Sequence, residues 1–272
     1  IYLGALREGI LETLIEAGYA KVAKNYMKTI VLAYHSIETP PKEEGAGLYC
    51  VSKEMFRQQM AVLGDTHPDN KKKNFPGWVS PEILITFDDG DITNYTHALP
   101  ILKEFGLKAY FFILAGRIGT DNYMSWQQVK ELRDAGMIIG SHGINHGFLT
   151  ELTPGQLKYE LKESKRIIEE KLHTQIDCFS VPRGFYNRKI ISLTKEAGYL
   201  KVFTSYSEDN NGFKIGRISV MKNWDINKFK RIVERGFNIR EKIIKKLKIS
   251  LHKILGSRCY NKVRTKILGS KT

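Results

Sequence analysis

Short apolar runs alternate with amphipathic segments along most of the chain. Seven runs have strand length and are largely continuous in apolar residues, as strands buried on both faces of a parallel sheet are. They are Ile30–Tyr34, Ile83–Phe87, Ala109–Leu114, Met137–Ser141, Cys178–Val181, Val202–Thr204 and Ile218–Val220. Strands that alternate with helices predict an α/β fold, in which a parallel sheet is covered by helices. The pattern leaves open whether that sheet closes into a barrel.

Four segments carry the clearest helix signals. One begins at Thr153 and Pro154, a capping residue followed by a proline at the first helical position. The other three have apolar residues at helical spacing and lie around Met55–Leu63, Trp126–Arg133 and Lys189–Ala197. The polar stretch Asp65–Val79 predicts a loop.

The length and composition fit one large globular domain. The chain has 272 residues, of which 42% are hydrophobic and 26% charged, enough for a full core. We divide it into an N-terminal extension over residues 1–26, a main domain over 27–236 and a tail over 237–272. The extension is set apart because Met27 also fits as a start of the chain.

The positive charge is concentrated in the tail. Residues 237–272 hold 11 Lys and Arg against one acid, so +10 of the formal net charge of +14 lies there. The main domain therefore lacks the basic face that nucleic-acid binding needs. Five apolar residues of the tail follow helical spacing with lysines between them: Ile239, Ile243, Leu247, Leu251 and Ile254. This basic amphipathic helix either packs on the main domain or contacts a membrane surface or another polyanion.

The compartment is only weakly indicated. Cys50, Cys178 and Cys259 are dispersed and odd in number, which does not suggest a disulfide framework. No apolar run reaches the roughly 18 residues of a membrane span, and the N-terminus shows no signal-peptide pattern. We expect a peripheral protein of the membrane or cell envelope, with the cytoplasm as the alternative.

The first candidate site follows a predicted strand. Leu84–Phe87 ends in two adjacent acids and a glycine, Asp88, Asp89 and Gly90. Active sites of α/β folds lie at the carboxyl ends of parallel strands. Adjacent residues leaving a strand point in different directions, so one carboxylate can bind a cation while its neighbour faces a reacting water. The alternative is a simple Asp-Gly turn with two solvated acids.

A second apolar segment leads into a pair of histidines. His142 and His146 are four residues apart, and they can reach one ion if the backbone curls into a turn. Imidazole suits zinc, and Asp89 would complete a set of two histidines and one carboxylate. The alternative is a pair of surface histidines on a loop. The Asp-Asp motif at another strand end weighs against it.

Two more strand ends carry candidate residues. Pro182–Asn187 contains Pro-x-Gly and aromatic residues, which fits either a rigid rim for a sugar or a plain strand-to-helix turn. His35 follows Ile30–Tyr34, and a lone histidine at such a place is more often structural than catalytic.

In combination, these motifs resemble the polysaccharide deacetylase family, carbohydrate esterase family 4. The similarity rests on Thr-Phe-Asp-Asp-Gly, Ser-His-x-x-x-His and Pro-x-Gly in that order, and it covers Thr29–Val220. It implies a distorted (β/α) barrel with parallel strands and outer helices. It also implies a metal-dependent enzyme that removes N-acetyl groups from an amino-sugar polymer, of exopolysaccharide or cell-wall type, and releases acetate.

The resemblance assigns roles to individual residues. It implies that Asp88 is the catalytic base, and that Asp89, His142 and His146 bind a divalent metal. Zn²⁺ is the first choice for this metal, with Co²⁺, Ni²⁺ or Fe²⁺ as alternatives. It also implies a set of substrate-binding residues, in which the Arg183 backbone N–H helps to hold the oxyanion. This set is Trp126, Pro182, Arg183, Gly184 and Tyr186.

The chain departs from the family pattern at two points. Many members have an arginine two residues before the proline, placed to tune the base, whereas this chain has Ser180. Many also supply the general acid from a late Leu-His motif, which is missing from the main domain after Tyr186. The biofilm poly-N-acetylglucosamine deacetylases use an early Tyr-His instead. Tyr34-His35 matches that pattern, so we predict His35 as the acid and this branch as the nearest.

Two other functions remain open from the sequence. One is a carbohydrate-binding or membrane-associated module of the same fold that has no activity, which the departure at Ser180 keeps in view. The other is an esterase that removes O-linked acetyl from a sugar conjugate, because the metal chemistry would be the same. The oligomeric state is not indicated.

Overall fold

A computed structural model describes residues 29–41, 46–65, 83–205 and 212–235, together with 255, 256, 259, 260 and 263. The predicted extension over 1–26, most of the predicted loop and the apolar tail residues from Ile239 to Ile254 lie outside this part of the chain. Up to residue 235, the described part contains eight strands and six α-helices. The strands are β1 Ile30–Tyr34, β2 Ile83–Phe87, β3 Ala109–Ile113, β4 Ile138–Ser141, β5 Cys178–Ser180, β6 Lys201–Thr204, β7 Lys214–Gly216 and β8 Ile218–Ser219.

All eight strands belong to one parallel sheet, in the order β7-β6-β5-β4-β3-β2-β1-β8. The strands β7 and β8 lie at opposite ends of this order, yet only Arg217 separates them along the chain. The backbone therefore passes from one edge of the sheet to the other within one residue. This short connection brings the two edges together into a nearly closed barrel, as the family resemblance implies.

Alternation along the strands separates an inner from an outer core. A small inner cluster joins Val31, Phe112, Cys178 and Phe203. Phe112 on β3 and Phe203 on β6 have ring centroids 4.9 Å apart although these strands are not neighbours, so the rings meet inside the barrel. A Cβ at Gly140 on β4 would lie 2.5 Å from the Phe112 ring, so only a glycine leaves room for it. Because side chains alternate with period two, the inner row continues toward the carboxyl ends of the strands.

The helices cover the outside of the barrel and bury the larger core cluster. They are α1 Lys53–Asp65, α2 Leu99–Glu104, α3 Trp126–Asp134, α4 Pro154–Leu172, α5 Arg188–Glu196 and α6 Ile226–Arg235, with a π-helical turn at Asn94–Ala98 before α2. Ser125 and Thr153 form capping boxes with Gln128 and Gln156, which satisfy backbone N–H groups at the starts of α3 and α4. Among the described residues, no helix is long and apolar enough to cross a bilayer.

The structure confirms all seven predicted strands to within one residue at each end. The strand β7 was not predicted. It has three half-buried residues, of which only Ile215 is strongly apolar, so it lacks both the continuous apolar run and the length on which the prediction relied. This omission matters because β7 leads directly into Arg217.

Candidate active site

Side chains from several strands converge at the carboxyl end of the barrel. Asp88, His142 and Arg217 each follow a strand, and each donates its backbone N–H to the last residue of the neighbouring strand, at 3.0, 2.8 and 2.9 Å. The sheet ladder therefore still fixes these three residues. All three are buried, with at most 3% of their surface exposed. They continue the inner row of the barrel, so their side chains meet above the inner cluster.

Three of the predicted residues form a group that could hold a metal ion. One ligand atom each from Asp89, His142 and His146 lies within 4.8 Å of the others. Asp89 Oδ1 is 3.4 Å from Nε2 of each histidine. Among the described residues, no other set of three or more His, Cys, Asp or Glu side chains converges in this way.

His142 is held with a defined nitrogen toward this group. Its Nδ1 lies 2.8 Å from the backbone oxygen of Ser180. A carbonyl oxygen only accepts, so Nδ1 carries a proton and donates it. In the neutral ring, Nε2 then presents its lone pair toward Asp89 and His146. Metal-binding histidines are commonly oriented by such a bond from the second ring nitrogen.

Asp89 and His146 reach the group through unusual backbone conformations. Their φ angles are +74° and +57°, in the left-handed region that residues other than glycine rarely adopt. Burial raises the pKa of the Asp89 carboxyl, but His146 and the other nearby histidines lower that pKa more, to well below its usual range. Asp89 Oδ1 is buried and receives no hydrogen bond of normal geometry. A buried carboxylate oxygen without a donor fits a cation at this point.

Asp88 has a different set of neighbours. Arg217 donates from both terminal nitrogens to its two carboxylate oxygens, at 2.7 and 2.6 Å. The same guanidinium also donates to the hydroxyls of Ser180 and Thr86. Burial raises the pKa of the Asp88 carboxyl, but the charge and hydrogen bonds of Arg217, aided by His142, lower it more, and the net pKa is below the usual value. Asp88 is therefore held as a carboxylate.

Sequence reasoning missed Arg217. The signal that could have found it is Ser180, which stands where the family resemblance implies an arginine that tunes the base. A buried carboxylate needs a cation or several hydrogen-bond donors, and for Asp88 the partner is a cation from another element. In this chain it comes from the connection between β7 and β8, 129 residues after Asp88, and the Ser180 hydroxyl helps to hold it.

His35 lies directly after β1 and interacts electrostatically with both Asp88 and Asp89. Its ring stacks on Tyr49 with centroids 4.8 Å apart, and Asn94 donates to its backbone oxygen at 2.6 Å. Burial lowers the pKa of His35, and Asp89 and Asp88 raise it in part, so the net pKa is below the usual value.

The segment Pro182–Gly184 forms a turn beside the histidines. The buried Pro182 is a close neighbour of Gly143, where a Cβ would lie 3.6 Å from its Cγ. Arg183 has a φ of +58°, and its Nε donates to the backbone oxygen of His146 at 3.1 Å. A Cβ at Gly184 would collide with Ser205. The substrate-binding segment predicted from the sequence is therefore tied to the loop that carries His146.

The remaining two residues that the sequence predicts to bind substrate are Tyr186 and Trp126. Tyr186 is partly buried, and Lys214 Nζ is 5.5 Å from the centre of its ring. Trp126 is the first residue of α3 and packs against the outer core. The segment just before it supports the acidic turn, because Met124 donates its backbone N–H to Gly90 at 3.0 Å.

Comparison with known proteins agrees with this geometry. A family model described as polysaccharide deacetylase matches residues 79–202, a range that contains Asp88, Asp89, His142, His146 and Pro182. Over this range the chain is similar to the polysaccharide deacetylase family. A Bacillus subtilis (strain 168) protein whose name includes polysaccharide deacetylase YxkH is 35% identical over 142 residues, 51% of each chain. The chain thus spans about half the length of this relative.

Two other deacetylases are similar over a larger share of their length. A poly-beta-1,6-N-acetyl-D-glucosamine N-deacetylase of Staphylococcus aureus (strain MSSA476) is 24% identical over 213 residues, 65% of this chain and 72% of that protein. The structure of the Streptococcus pyogenes deacetylase PplD in complex with acetate has a TM-score of 0.66 and 26% identity. That comparison covers 76% of this chain and 99% of the other.

Proposed function

We propose that this polysaccharide deacetylase domain is a metal-dependent hydrolase that removes N-acetyl groups from an amino-sugar polysaccharide. The observation that carries the proposal is the pairing of two carboxylates with separate surroundings. Asp89 shares a potential metal site with His142 and His146, while Asp88, 4.0 Å from His142 Nε2, is held ionised by Arg217. Hydrolysis of an acetamide needs both an electrophilic centre and a base beside it.

The ligand set favours zinc. Two imidazoles and one carboxylate suit Zn²⁺, and Co²⁺, Ni²⁺ or Fe²⁺ also accept this set. When such a cation is bound, it lowers the pKa of water toward about 7 and polarises a carbonyl group. His142 and His146 orient their Nε2 atoms for it, and Asp89 supplies the negative charge.

Asp88 would accept the proton of the attacking water. Its low pKa keeps it ionised at neutral pH, and the bidentate contact with Arg217 fixes the plane of the carboxylate. The arginine therefore lowers the basicity of Asp88, but it also fixes the orientation of the carboxylate and keeps it ionised.

His35 would donate the proton that the departing amine needs. The ring is fixed by the stack on Tyr49 and by Asn94, which holds its backbone. Burial lowers its pKa, which makes the protonated ring a stronger acid once it has received a proton. The backbone N–H of Arg183, in the turn at Pro182, would stabilise the oxyanion, a contribution of about 3–4 kcal/mol for one donor.

The substrate class follows from the relatives and from the site. The Staphylococcus aureus relative is named for poly-beta-1,6-N-acetyl-D-glucosamine, and we propose an acetylated amino-sugar polymer of this kind for the present chain. Trp126, Pro182, Gly184 and Tyr186 would line its path. The product carries a free amine that becomes cationic, so it should bind less well beside Lys214.

Acetate release tests the proposed function. The assay uses N-acetylglucosamine oligomers with β-1,6 or β-1,4 links, with added zinc and with chelator, and a chromogenic acetyl ester in parallel. We expect chelator-sensitive release from an oligomer. Release from the ester alone would show the O-acetyl esterase. No release from any acetylated sugar, in protein that contains metal, would contradict the proposal and favour a carbohydrate-binding module.

We also propose that the basic tail over residues 237–272 brings the domain to an anionic membrane or envelope surface. Its support is the charge of +10 and the helical spacing of its apolar residues. Vesicles with 30% anionic lipid would bind the wild-type chain and bind it less after the tail lysines are replaced by glutamine. Equal binding by both chains would contradict this proposal.

A further inference from the structure

The turn between His142 and His146 is held from both sides. On one side, Ala115 and Gly116 donate their backbone N–H groups to the carbonyl oxygens of Gly143 and Ile144, at 2.9 and 3.2 Å. On the other side, the N–H groups of Ile144 and Asn145 point away from the barrel toward α4. Since these contacts use four backbone groups of one short turn, its conformation is specified in detail.

On the α4 side, a single carboxylate accepts hydrogen bonds from both N–H groups. Glu160 Oε1 accepts from Ile144 at 2.6 Å and from Asn145 at 3.1 Å. Glu160 is only 8% exposed. Within the described part of the chain, no lysine or arginine forms an ion pair with it. A buried carboxylate without a cation is costly unless hydrogen-bond donors surround it, and consecutive backbone N–H groups form such an anion site.

The sequence of the turn makes room for this contact. Gly143 has a φ of +84°, and a Cβ there would lie 2.9 Å from Glu160 Oε1. One helical turn further along α4, Ser164 hydrogen-bonds the Ser141 hydroxyl at 2.9 Å. Glu160 and Ser164 are spaced i and i+4 and therefore share one face of the helix. The helix α4 thus contacts the histidine-bearing segment at two places, one before His142 and one between His142 and His146.

We propose that Glu160 is a positioning residue for the metal site. By fixing the N–H groups of Ile144 and Asn145, it sets the direction in which the chain leaves the turn and enters the left-handed conformation of His146. That conformation brings His146 Nε2 to within 3.4 Å of Asp89. Glu160 is not one of the three residues whose ligand atoms converge. The inference rests on the proposed metal site at Asp89, His142 and His146, and it assigns to α4 the task of organising that site before a metal binds.

Variants at Glu160 separate the reach of the side chain from its charge. Glu160→Gln keeps an oxygen acceptor at the same length but loses the charge. Glu160→Asp keeps the charge but is one methylene too short to reach both N–H groups. Glu160→Ala removes both, and Glu170→Ala, on the exposed side of the same helix, is the matched control for helix composition.

The measurement is the dissociation constant of Co²⁺ and Zn²⁺, by competition with a chromophoric chelator, together with the visible spectrum of the Co²⁺ form. We expect Glu160→Asp and Glu160→Ala to weaken binding by about 10- to 100-fold, as loss of a contact that orients a ligand typically does, and to alter the Co²⁺ spectrum. Glu160→Gln and Glu170→Ala should bind nearly as wild type. Hydrogen exchange of the Ile144 and Asn145 amides in metal-free protein should accelerate in the Asp and Ala variants alone.

Three results would overturn the inference. The first is wild-type metal affinity in Glu160→Ala despite faster exchange of the two amides. The second is weak binding by Glu160→Gln with normal binding by Glu160→Asp, which would show that charge and not reach is required. The third is a wild-type chain that binds no metal, which would also remove the proposed function. A chain that binds Co²⁺ with the expected order of variants, yet releases no acetate, would contradict the deacetylase proposal alone.

Discussion

Asp88 and Asp89 are adjacent in the sequence, yet the barrel gives them opposite surroundings. Asp88 stays on the inner row and has its charge matched within the chain, because Arg217 contacts both of its oxygens. Asp89 leaves that row through a left-handed φ of +74° and meets two histidines, with a buried oxygen that receives no hydrogen bond. The charge of Asp88 is therefore balanced by Arg217 without any bound ligand, whereas the charge of Asp89 calls for a cation. Backbone conformation and one distant arginine, rather than residue type, divide the two roles.

Replacement of Asp89, the carboxylate of the proposed metal site, should have the largest effect on metal binding and activity. In Asp89→Asn, the carboxylate that carries the negative charge of the site becomes a neutral amide. We expect zinc affinity to fall by more than about 100-fold, since even a lost contact behind a metal ligand costs 10- to 100-fold, and acetate release to fall with it. Metal content after dialysis and acetate release are measured together. Asp121→Asn, at an exposed position, is the control, and retained metal in Asp89→Asn would contradict the assignment.

Loss of the proposed acid should affect the rate and leave the metal in place. His35 is not one of the residues that could hold the metal, so His35→Ala should lower kcat by about 10²- to 10⁴-fold, the usual contribution of a positioned proton donor. Zinc content should match that of the wild type. His173→Ala, a histidine at the far end of α4, serves as the control. Unchanged kcat in His35→Ala would exclude it as the acid.

Removing the arginine should weaken the Asp88 side and shift its pH dependence. In Arg217→Met, the buried Asp88 loses its cation, which we expect to cost about 3–5 kcal/mol of folding stability. Arg217 lowers the pKa of Asp88, so its loss raises that pKa. Because the base must be ionised, the acid limb of the kcat/KM profile then moves to higher pH. Denaturant unfolding and a pH–rate profile provide the two measurements.

The ion pair between Asp88 and Arg217 also makes the folding stability of the wild type depend on pH. The folded-state pKa of Asp88 is below its usual value, so its contribution to stability is present above the usual carboxyl range and is lost as the pH falls through the lowered pKa. Arg217→Met should lose this dependence. Arg57→Met, which breaks an exposed ion pair with Glu104, should cost at most about 1 kcal/mol and leave the pH profile unchanged. An unmoved acid limb in Arg217→Met would show that the arginine does not tune the base.

The smallest effect is expected at Ser180. Its hydroxyl accepts from Arg217 at 2.7 Å, and Ser180→Ala removes that bond and keeps the ion pair with Asp88. The backbone oxygen that orients His142 also remains. We therefore expect a loss of about 0.5–1.5 kcal/mol in unfolding free energy, with zinc affinity and the acid limb close to wild type. A large shift of the acid limb would show that Ser180, and not the ion pair alone, fixes the guanidinium.

The sequence predicts the metal side of the site better than the Asp88 side. Asp89 and His142 lie within two residues of strand ends that the sequence predicts, and His146 is four residues after His142. This spacing is a local pattern that a single sequence displays. Arg217 follows a strand of three half-buried residues and acts on a carboxylate 129 positions away. No local pattern encodes that partnership. Only the missing arginine at Ser180 indicates that a cation must come from another element.

Glu160 was equally hidden, for a different reason. In a helix rich in Glu and Lys, one more glutamate is typical of a solvated face, and nothing in the pattern marks it as buried. The contact between Glu160 and the turn between His142 and His146 forms only when α4 packs against β4. Strand positions could thus be predicted from periodicity, whereas the contacts that orient the ligands depend on how the helices pack on the sheet.

The most direct test of the account is the metal content and turnover of Asp88→Asn beside Asp89→Asn. If the two carboxylates have separate roles, Asp88→Asn keeps one zinc per chain and the wild-type Co²⁺ spectrum while acetate release falls by about 10²- to 10⁴-fold. Asp89→Asn loses both. If Asp88→Asn loses its metal as Asp89→Asn does, or releases acetate at the wild-type rate, the division of roles between the two carboxylates is wrong.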